Sequence, residues 1–225
     1  MSLPTTTSEE VLNYCKRDLP DNFEWYRNEF DFVADNDLQE ELAKAFYSSR
    51  YIYKLMEGLA ISGNELHAHL KFQIMQYASI YEAVINYLLL NRYKEHASVQ
   101  AIQIHKAYRP ISALAAPTRL TYEGNDAFIC LHKDAKTPWT SIQFQDKVDA
   151  ASNIGLIEKQ LGKEIKEFYR LRNAVHIEAA AKRGIEYEVE EAKLAYRRMR
   201  PFIDQIKEKI ALEAAEMPNN PGAAD

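Results

Sequence analysis

The chain has 225 residues, of which 47% are hydrophobic and 27% are charged, a balance typical of a globular protein with a sizeable core. Its formal net charge of −5 argues against a protein that simply coats nucleic acid, and its two cysteines lack a CxxC spacing. The sequence shows no run of 18 apolar residues and no secretory signal. We therefore expect a cytoplasmic protein with reduced thiols and no membrane span.

The first 37 residues are predicted to form an N-terminal extension with one short helix. In "SEEVLNYCKRDL" the hydroxyl of Ser8 can cap a helix start, and Pro20 ends the segment. The acidic, aromatic stretch that follows has no clear periodicity.

Two long amphipathic helices are predicted next, over residues 38–59 and 65–93. Apolar residues recur at helical spacing in both, and "SGN" at 62–64 separates them. The apolar stripe of the second helix, which includes "QYASIYEAVINYLLL", is wide enough to be buried on most sides.

The segment 119–144 is predicted to be a small β insert. "GN" at 124–125 indicates a hairpin turn between strands over 120–122 and 127–131. Residues 141–144 are predicted to add a third short strand.

Helical periodicity returns at Lys147 and continues to Val175, with a break expected at Gly155. After "KRG" at 182–184 a last helix is predicted that continues to Ile210 and is kinked by Pro201, and residues 213–225 are predicted to be a disordered tail. The expected fold is mainly α, with four principal helices over residues 38–212 and the β insert between the second and the third.

The stretch "FYRLRNAVHIEAA", residues 168–180, combines an apolar helix face with a polar cluster. On a regular helix Arg172, Asn173 and His176 share a face, whereas Arg170 points away. An imidazole can transfer a proton near neutral pH, and a guanidinium can stabilise the charge on phosphoryl oxygens. Cations late in a helix also complement its negative end, so the residues alone leave an ordinary helix end as an alternative.

The motif "YRLRNAVH", together with the strongly apolar preceding helix, resembles the HEPN superfamily (higher eukaryotes and prokaryotes nucleotide-binding domains). The resemblance covers about residues 40–210 without the β insert. It implies a four-helix up-and-down bundle, and many members are metal-independent RNases of toxin–antitoxin, abortive-infection and other defence systems. The family signature is Arg, four to six residues, then His, with a polar residue, often Asn, after the Arg.

The resemblance implies that His176 is the catalytic general acid/base and that Asn173 is the polar residue. Two arginines compete for the remaining role of phosphate stabiliser. Arg170 has the family spacing, with five residues before His176, whereas Arg172 is followed directly by the Asn but leaves only three residues before His176.

Members of the superfamily commonly dimerise, and the resemblance therefore implies a homodimer in which both motif helices line one composite cleft. RNA would bind in this cleft. If the protein is a toxin, an antitoxin protein is a further expected partner. Basic residues are expected to flank the groove: Lys182, Arg183, Arg197, Arg198 and Arg200. The alternative is that these basic residues form a solvated helix face and do not contact RNA.

Two further side chains are candidates for the cleft. Glu82, within the apolar stripe of the second helix, can reach the motif helix and pair with Arg172 or hold His176, and a surface position is the alternative. Tyr169, seven residues before His176, can line the cleft or pack in the core. His67 and His69 face nearly opposite sides of a helix, so we expect no metal site and no cofactor.

The leading hypothesis is therefore a metal-independent endoribonuclease that acts as a toxin or in phage defence. The alternative is a non-catalytic HEPN-like bundle that binds a nucleotide, RNA or a partner protein. The short spacing between Arg172 and His176 favours the alternative.

Overall fold

The computed structural model of the protein describes residues 2–111, 120–174, 182, 184 and 186–216. The helices run, in chain order, over Thr5–Arg17 (α1), Phe23–Glu29 (α2), Asn36–Gly58 (α3), Gly63–Asn91 (α4), Ala97–Gln103 (α5), Phe144–Ile154 (α6), Lys159–Asn173 (α7), Val189–Arg197 (α8) and Met199–Glu216 (α9). The strands run over Ile104–Pro110 (β1), Leu120–Tyr122 (β2), Asn125–Ala127 (β3) and Cys130–Lys136 (β4). The fold is thus mainly helical with a small β component, as the sequence predicts.

Helix α4 lies at the centre of the fold and contacts α3, α6, α7 and α8. Its wide apolar stripe is buried, as predicted, and includes Ile74, Tyr81, Val84 and Leu88. Burial of an apolar side chain stabilises the fold by about 1.5–3 kcal/mol. The packing around α4 therefore contributes strongly to the stability of the fold.

The N-terminal segment is more structured than the sequence indicates. Helix α2 has no predicted counterpart, yet its Tyr26 is fully buried, together with Phe30, and both rings pack edge-on against Phe46 of α3. The predicted cap at Ser8 is wrong, because α1 begins at Thr5 and the amide of Ser8 donates within the first turn to the carbonyl of Pro4.

The predicted break at Gly155 is confirmed. Gly155 ends α6 in the left-handed conformation, with φ of 84°, and its amide donates to the carbonyls of Ala151 and Ser152. A residue with a Cβ atom adopts this conformation only at an energetic cost. The glycine therefore turns the chain from α6 into α7.

The last helix is interrupted rather than only kinked. Helix α8 ends at Arg197 and α9 starts at Met199, two residues before Pro201. The proline ring clashes with the carbonyl four residues earlier, that of Arg197, which explains the position of the break. Helix α9 continues to Glu216, so residues 213–216 are helical and not part of a tail.

The β residues form two antiparallel pairs. Strand β1 pairs with β4, and β2 pairs with β3 around a turn at Glu123 and Gly124, which both have positive φ. The predicted hairpin is confirmed in its first strand, and its turn lies one residue earlier, but the predicted second strand over 127–131 is wrong: Asn125–Ala127 pairs with β2, whereas Cys130 and Leu131 pair with β1. The predicted strand over 141–144 is wrong: Trp139–Ser141 forms one 3-10 turn, and Phe144 begins α6.

None of the helices in the ranges given above combines the length and the apolar composition that a membrane span requires.

Candidate functional site

Three side chains of the predicted site meet between α4 and α7. The Arg172 Nη2 lies 3.2 Å from Oε2 of Glu82, and the Tyr169 hydroxyl donates to Glu82 Oε1 at 3.3 Å. The Arg172 guanidinium also lies over the Tyr169 ring, 5.2 Å from its centroid. Both charged side chains remain partly exposed, at 34% for Arg172 and 25% for Glu82. The pair therefore holds the guanidinium in place without removing it from solvent.

Arg170 points to a different side of α7. Its Nε donates to both carboxylate oxygens of Glu167, at 2.8 and 3.0 Å, one turn earlier on the same exposed surface. Hydrogen bonding from Arg170 lowers the pKa of Glu167. Only Arg172, of the two candidate arginines, thus lies beside Glu82 and Tyr169.

Asn173 is the last residue of α7, and its exposed side chain accepts a hydrogen bond from Arg172 Nη1 at 3.3 Å. Ala174 closes the helix, so α7 ends before the predicted boundary at Val175. His176 and Arg183 lie outside the described residues, and Lys182 is exposed. The described half of the motif is therefore an Arg–Asn pair at the C-terminal end of α7.

A second group of polar side chains adjoins Glu82, and the sequence does not predict it. The indole N–H of Trp139 donates to Asn86 Oδ1 at 3.1 Å, and Lys147 Nζ lies 4.7 Å from the centroid of the indole ring. The ring of Tyr169 packs on Phe144 at 4.3 Å. The feature of the sequence that could have indicated this group is Lys147, a lysine within the apolar stripe of α6.

Lys147 is a buried cation. Burial lowers the pKa of its ammonium group, and attraction to the Glu82 carboxylate raises it. A buried ammonium group is costly unless it is compensated, and here a carboxylate and an aromatic face compensate it. Glu82 therefore interacts with cations on two helices.

The basic residues of the last two helices do not join this site. Arg198 forms an ion pair with Glu164, and Arg200 forms one with Glu29 at 3.2 Å. Arg197 and Arg200 line a different cleft, between α8, α9 and the N-terminal helices. The expected basic flank of the groove is therefore not formed by Arg197, Arg198 or Arg200.

Several histidines have structural contacts. The ring of His67 packs edge-on against Tyr187, His96 accepts a hydrogen bond from the Ser98 amide at the start of α5, and His132 stacks on Tyr108. Among the described residues no group of three or more His, Cys, Asp or Glu side chains is placed to hold a metal ion.

Comparisons of the chain with protein-family models, with curated proteins and with solved structures found no match.

Proposed function

We propose that the protein is a metal-independent endoribonuclease of the HEPN type that acts as a toxin or in phage defence. His176 is the general acid/base, Arg172 stabilises charge on the phosphoryl oxygens, and Asn173 orients the imidazole or the phosphate. Arg170 is not assigned a catalytic role. The proposal includes a four-helix up-and-down arrangement of α3, α4, α6–α7 and α8–α9.

The single observation that carries the proposal is the position of Arg172. A glutamate from the central helix and a tyrosine one turn earlier hold its guanidinium beside Asn173, at the end of α7. His176 follows Ala174 by two residues in the sequence, so the covalent chain ties it to this helix end. A partly exposed arginine, an amide and a histidine close together in the chain form a set that suits phosphodiester cleavage.

The reaction needs only side chains and the RNA itself. One imidazole takes the proton of the ribose 2′-hydroxyl, whose oxygen forms a bond to the adjacent phosphorus. The bond from phosphorus to the 5′-oxygen breaks, and a second imidazole donates a proton to that oxygen. The products are a 2′,3′-cyclic phosphate and a 5′-hydroxyl.

A homodimer supplies the second imidazole, because each chain contributes one His176 to a composite cleft. Arg172 binds the nonbridging phosphate oxygens with the N–H groups that Glu82 and Asn173 leave unused. RNA is thus the substrate partner, and an antitoxin protein that covers the cleft is the regulatory partner.

The proposal is tested by incubating the purified protein with total RNA and with tRNA in the presence of EDTA. The wild type should cleave RNA, and His176→Ala should not. Cleavage by a folded His176→Ala variant at the wild-type rate rejects the assignment of the general acid/base.

A second candidate function is a non-catalytic bundle that binds a nucleotide, RNA or a partner protein. It is favoured by the direct ion pair between Arg172 and Glu82, which neutralises much of the positive charge that a phosphate would meet. In that case the wild type binds RNA or another partner but leaves RNA intact under all conditions of the assay.

A further inference from the structure

A cleft of about 690 Å³ lies between the N-terminal helices and the last two helices, and no residue of α7 lines it. Its walls come from α1 and the turn after it, from α2 and α3, and from α8 and α9. Its lining includes Arg197 and Arg200, which the sequence had placed beside the RNA groove, but not Glu82, Tyr169, Arg170, Arg172 or Asn173. The volume lies within the range of about 300–1,000 Å³ that is typical of small-molecule sites. This cleft therefore has the size of a ligand site that is separate from the proposed RNase site.

Arg50 of α3 is the central side chain of the cleft. Its guanidinium lies over four aromatic rings, with centroid distances between 5.5 and 5.9 Å. The rings belong to Trp25, Tyr26, Phe46 and Tyr196. Its one hydrogen bond to the described residues is a long one, 3.5 Å, from Nη2 to the carbonyl of Asp18. Arg50 is thus a cation held by aromatic faces, and no carboxylate in the described part of the chain pairs with it.

The charges of the cleft are unbalanced in favour of cations, although the whole chain is acidic. Four arginines and two carboxylates line it. Glu29 is paired with Arg200 at 3.2 Å, and Asp18 is paired with Lys54 at 2.8 Å and with Arg17 at 3.4 Å. Arg197 makes no ion pair with the described residues and is exposed. Arg50 and Arg197 are therefore the cations that remain for an anion.

The rest of the wall is apolar and aromatic. The indole of Trp25 is 37% exposed and the ring of Tyr196 is 42% exposed, whereas the neighbouring Met199 and Ile203 are buried. A second cavity of about 260 Å³ also has Arg50 and Tyr196 in its lining. A ligand therefore meets flat aromatic surface next to the two unpaired guanidinium groups.

We infer that this cleft binds a small organic anion in which a planar aromatic ring carries a phosphate or carboxylate group. The anionic group pairs with Arg50 and Arg197, and the ring packs against the exposed surfaces of Trp25 and Tyr196. Charge alone does not explain the aromatic wall, and aromatic packing alone does not explain the unpaired cations. The inference does not depend on the proposed RNase activity.

Calorimetric titration of the full chain tests the inference with four probes: 5′-AMP, 1-naphthoate, adenosine and inorganic phosphate. Saturable binding is expected for 5′-AMP, for 1-naphthoate or for both. Because the first carries a phosphate and the second a carboxylate, comparing their affinities identifies the anionic group that the cleft prefers. Both other probes should bind at least about tenfold more weakly: adenosine because it lacks the charge-assisted contact, and inorganic phosphate because it lacks the ring that packs on Trp25 and Tyr196.

Arg50→Gln and Arg197→Ala should each weaken binding about tenfold or more. Arg197 is exposed, so its variant tests the inference even if Arg50→Gln does not fold. Arg170→Ala, which removes an exposed arginine from a different helix, should leave the affinity unchanged. The absence of saturable binding of both charged aromatic probes to the wild type, or an unchanged affinity in Arg197→Ala, would overturn the inference.

Discussion

The carboxylate of Glu82 on α4 and the guanidinium of Arg172 on α7 form an ion pair of 3.2 Å across the two helices that carry the candidate site. The hydroxyl of Tyr169 donates to the same carboxylate. Of the two motif arginines, Arg172 is therefore the one whose side chain is held by a residue of another helix. Arg170, with the same charge and two residues earlier, makes its hydrogen bonds within the described part of the chain to Glu167 of its own helix.

The first prediction concerns the energetic coupling of Glu82 and Arg172. Because both side chains are partly exposed, the pair should contribute no more than about 1 kcal/mol to the free energy of unfolding. A double-mutant cycle of Glu82→Gln and Arg172→Ala, measured by urea unfolding, should give a coupling in that range. A coupling of several kcal/mol would instead indicate a structural ion pair that the fold requires.

The second prediction concerns the break between α8 and α9. The Tyr81 hydroxyl donates to the carbonyl of Ala195 at 2.8 Å, in the last turn of α8, where carbonyls lack helical partners. Tyr81→Phe leaves this buried carbonyl unpaired and should lower the free energy of unfolding by about 1–3 kcal/mol.

Tyr77, one turn earlier on α4, provides the matched control. It is as buried as Tyr81, but its hydroxyl makes no hydrogen bond with the described residues. Tyr77→Phe should change the free energy of unfolding much less than Tyr81→Phe does. Equal losses in the two variants would contradict the role given to the Tyr81 hydroxyl.

The third prediction concerns the pH dependence of stability. Hydrogen bonds from Arg198 lower the pKa of Glu164 below its ordinary value of 4.5. A carboxyl group with a lowered pKa in the folded state contributes stability above its unfolded pKa, and this contribution is lost as the pH falls through the folded value. Glu164→Gln should therefore cost about 1 kcal/mol at pH 7, and the cost should shrink as the pH falls below 4.5.

Urea unfolding at pH 7 and at pH 3.5 measures this difference. Glu208→Gln is the control, since Glu208 lies on α9 and makes no ion pair with the described residues. A cost of Glu164→Gln that grows on acidification would contradict the assigned ion pair.

The fourth prediction concerns Gly155. Its φ of 84° allows the turn from α6 to α7, and Ala at this position should destabilise the protein by roughly 1–2 kcal/mol. Gly155→Asn should cost less, because Asn adopts the left-handed conformation more readily. Thermal unfolding of the two variants measures their relative stability. An Ala variant that is more stable than the Asn variant would contradict the role given to the left-handed conformation.

The long helices with regular apolar spacing, and most of the breaks between them, were predictable from the sequence. The helices α3, α4, α6 and α7 have apolar stripes, glycine marks one end of α3, α4 and α6, and the stripe of α4 correctly indicated burial on most sides. The contact between Glu82 and Arg172 was also accessible, since a carboxylate within a buried stripe needs a partner.

The short elements were not predictable, for physical reasons. Strand β1 was missed because almost all of its side chains are exposed, so its sequence has no alternation of apolar and polar residues. Helix α2 has only seven residues, and its structure depends on tertiary packing of Tyr26 rather than on periodicity. Lys147 was overlooked as a site residue for a related reason: only the fold brings the Glu82 carboxylate and the Trp139 ring to its ammonium group.

The two motif arginines separate a catalytic site on α7 from an ordinary helix end. The measurement is the initial rate of RNA cleavage in EDTA by wild type, His176→Ala, Arg172→Ala and Arg170→Ala, each shown to be folded by circular dichroism. We predict that His176→Ala and Arg172→Ala lose at least about 100-fold in rate, the usual cost of removing a general acid/base or a transition-state charge stabiliser, whereas Arg170→Ala stays close to wild type. A large loss in Arg170→Ala with a near-normal rate in Arg172→Ala would contradict the account.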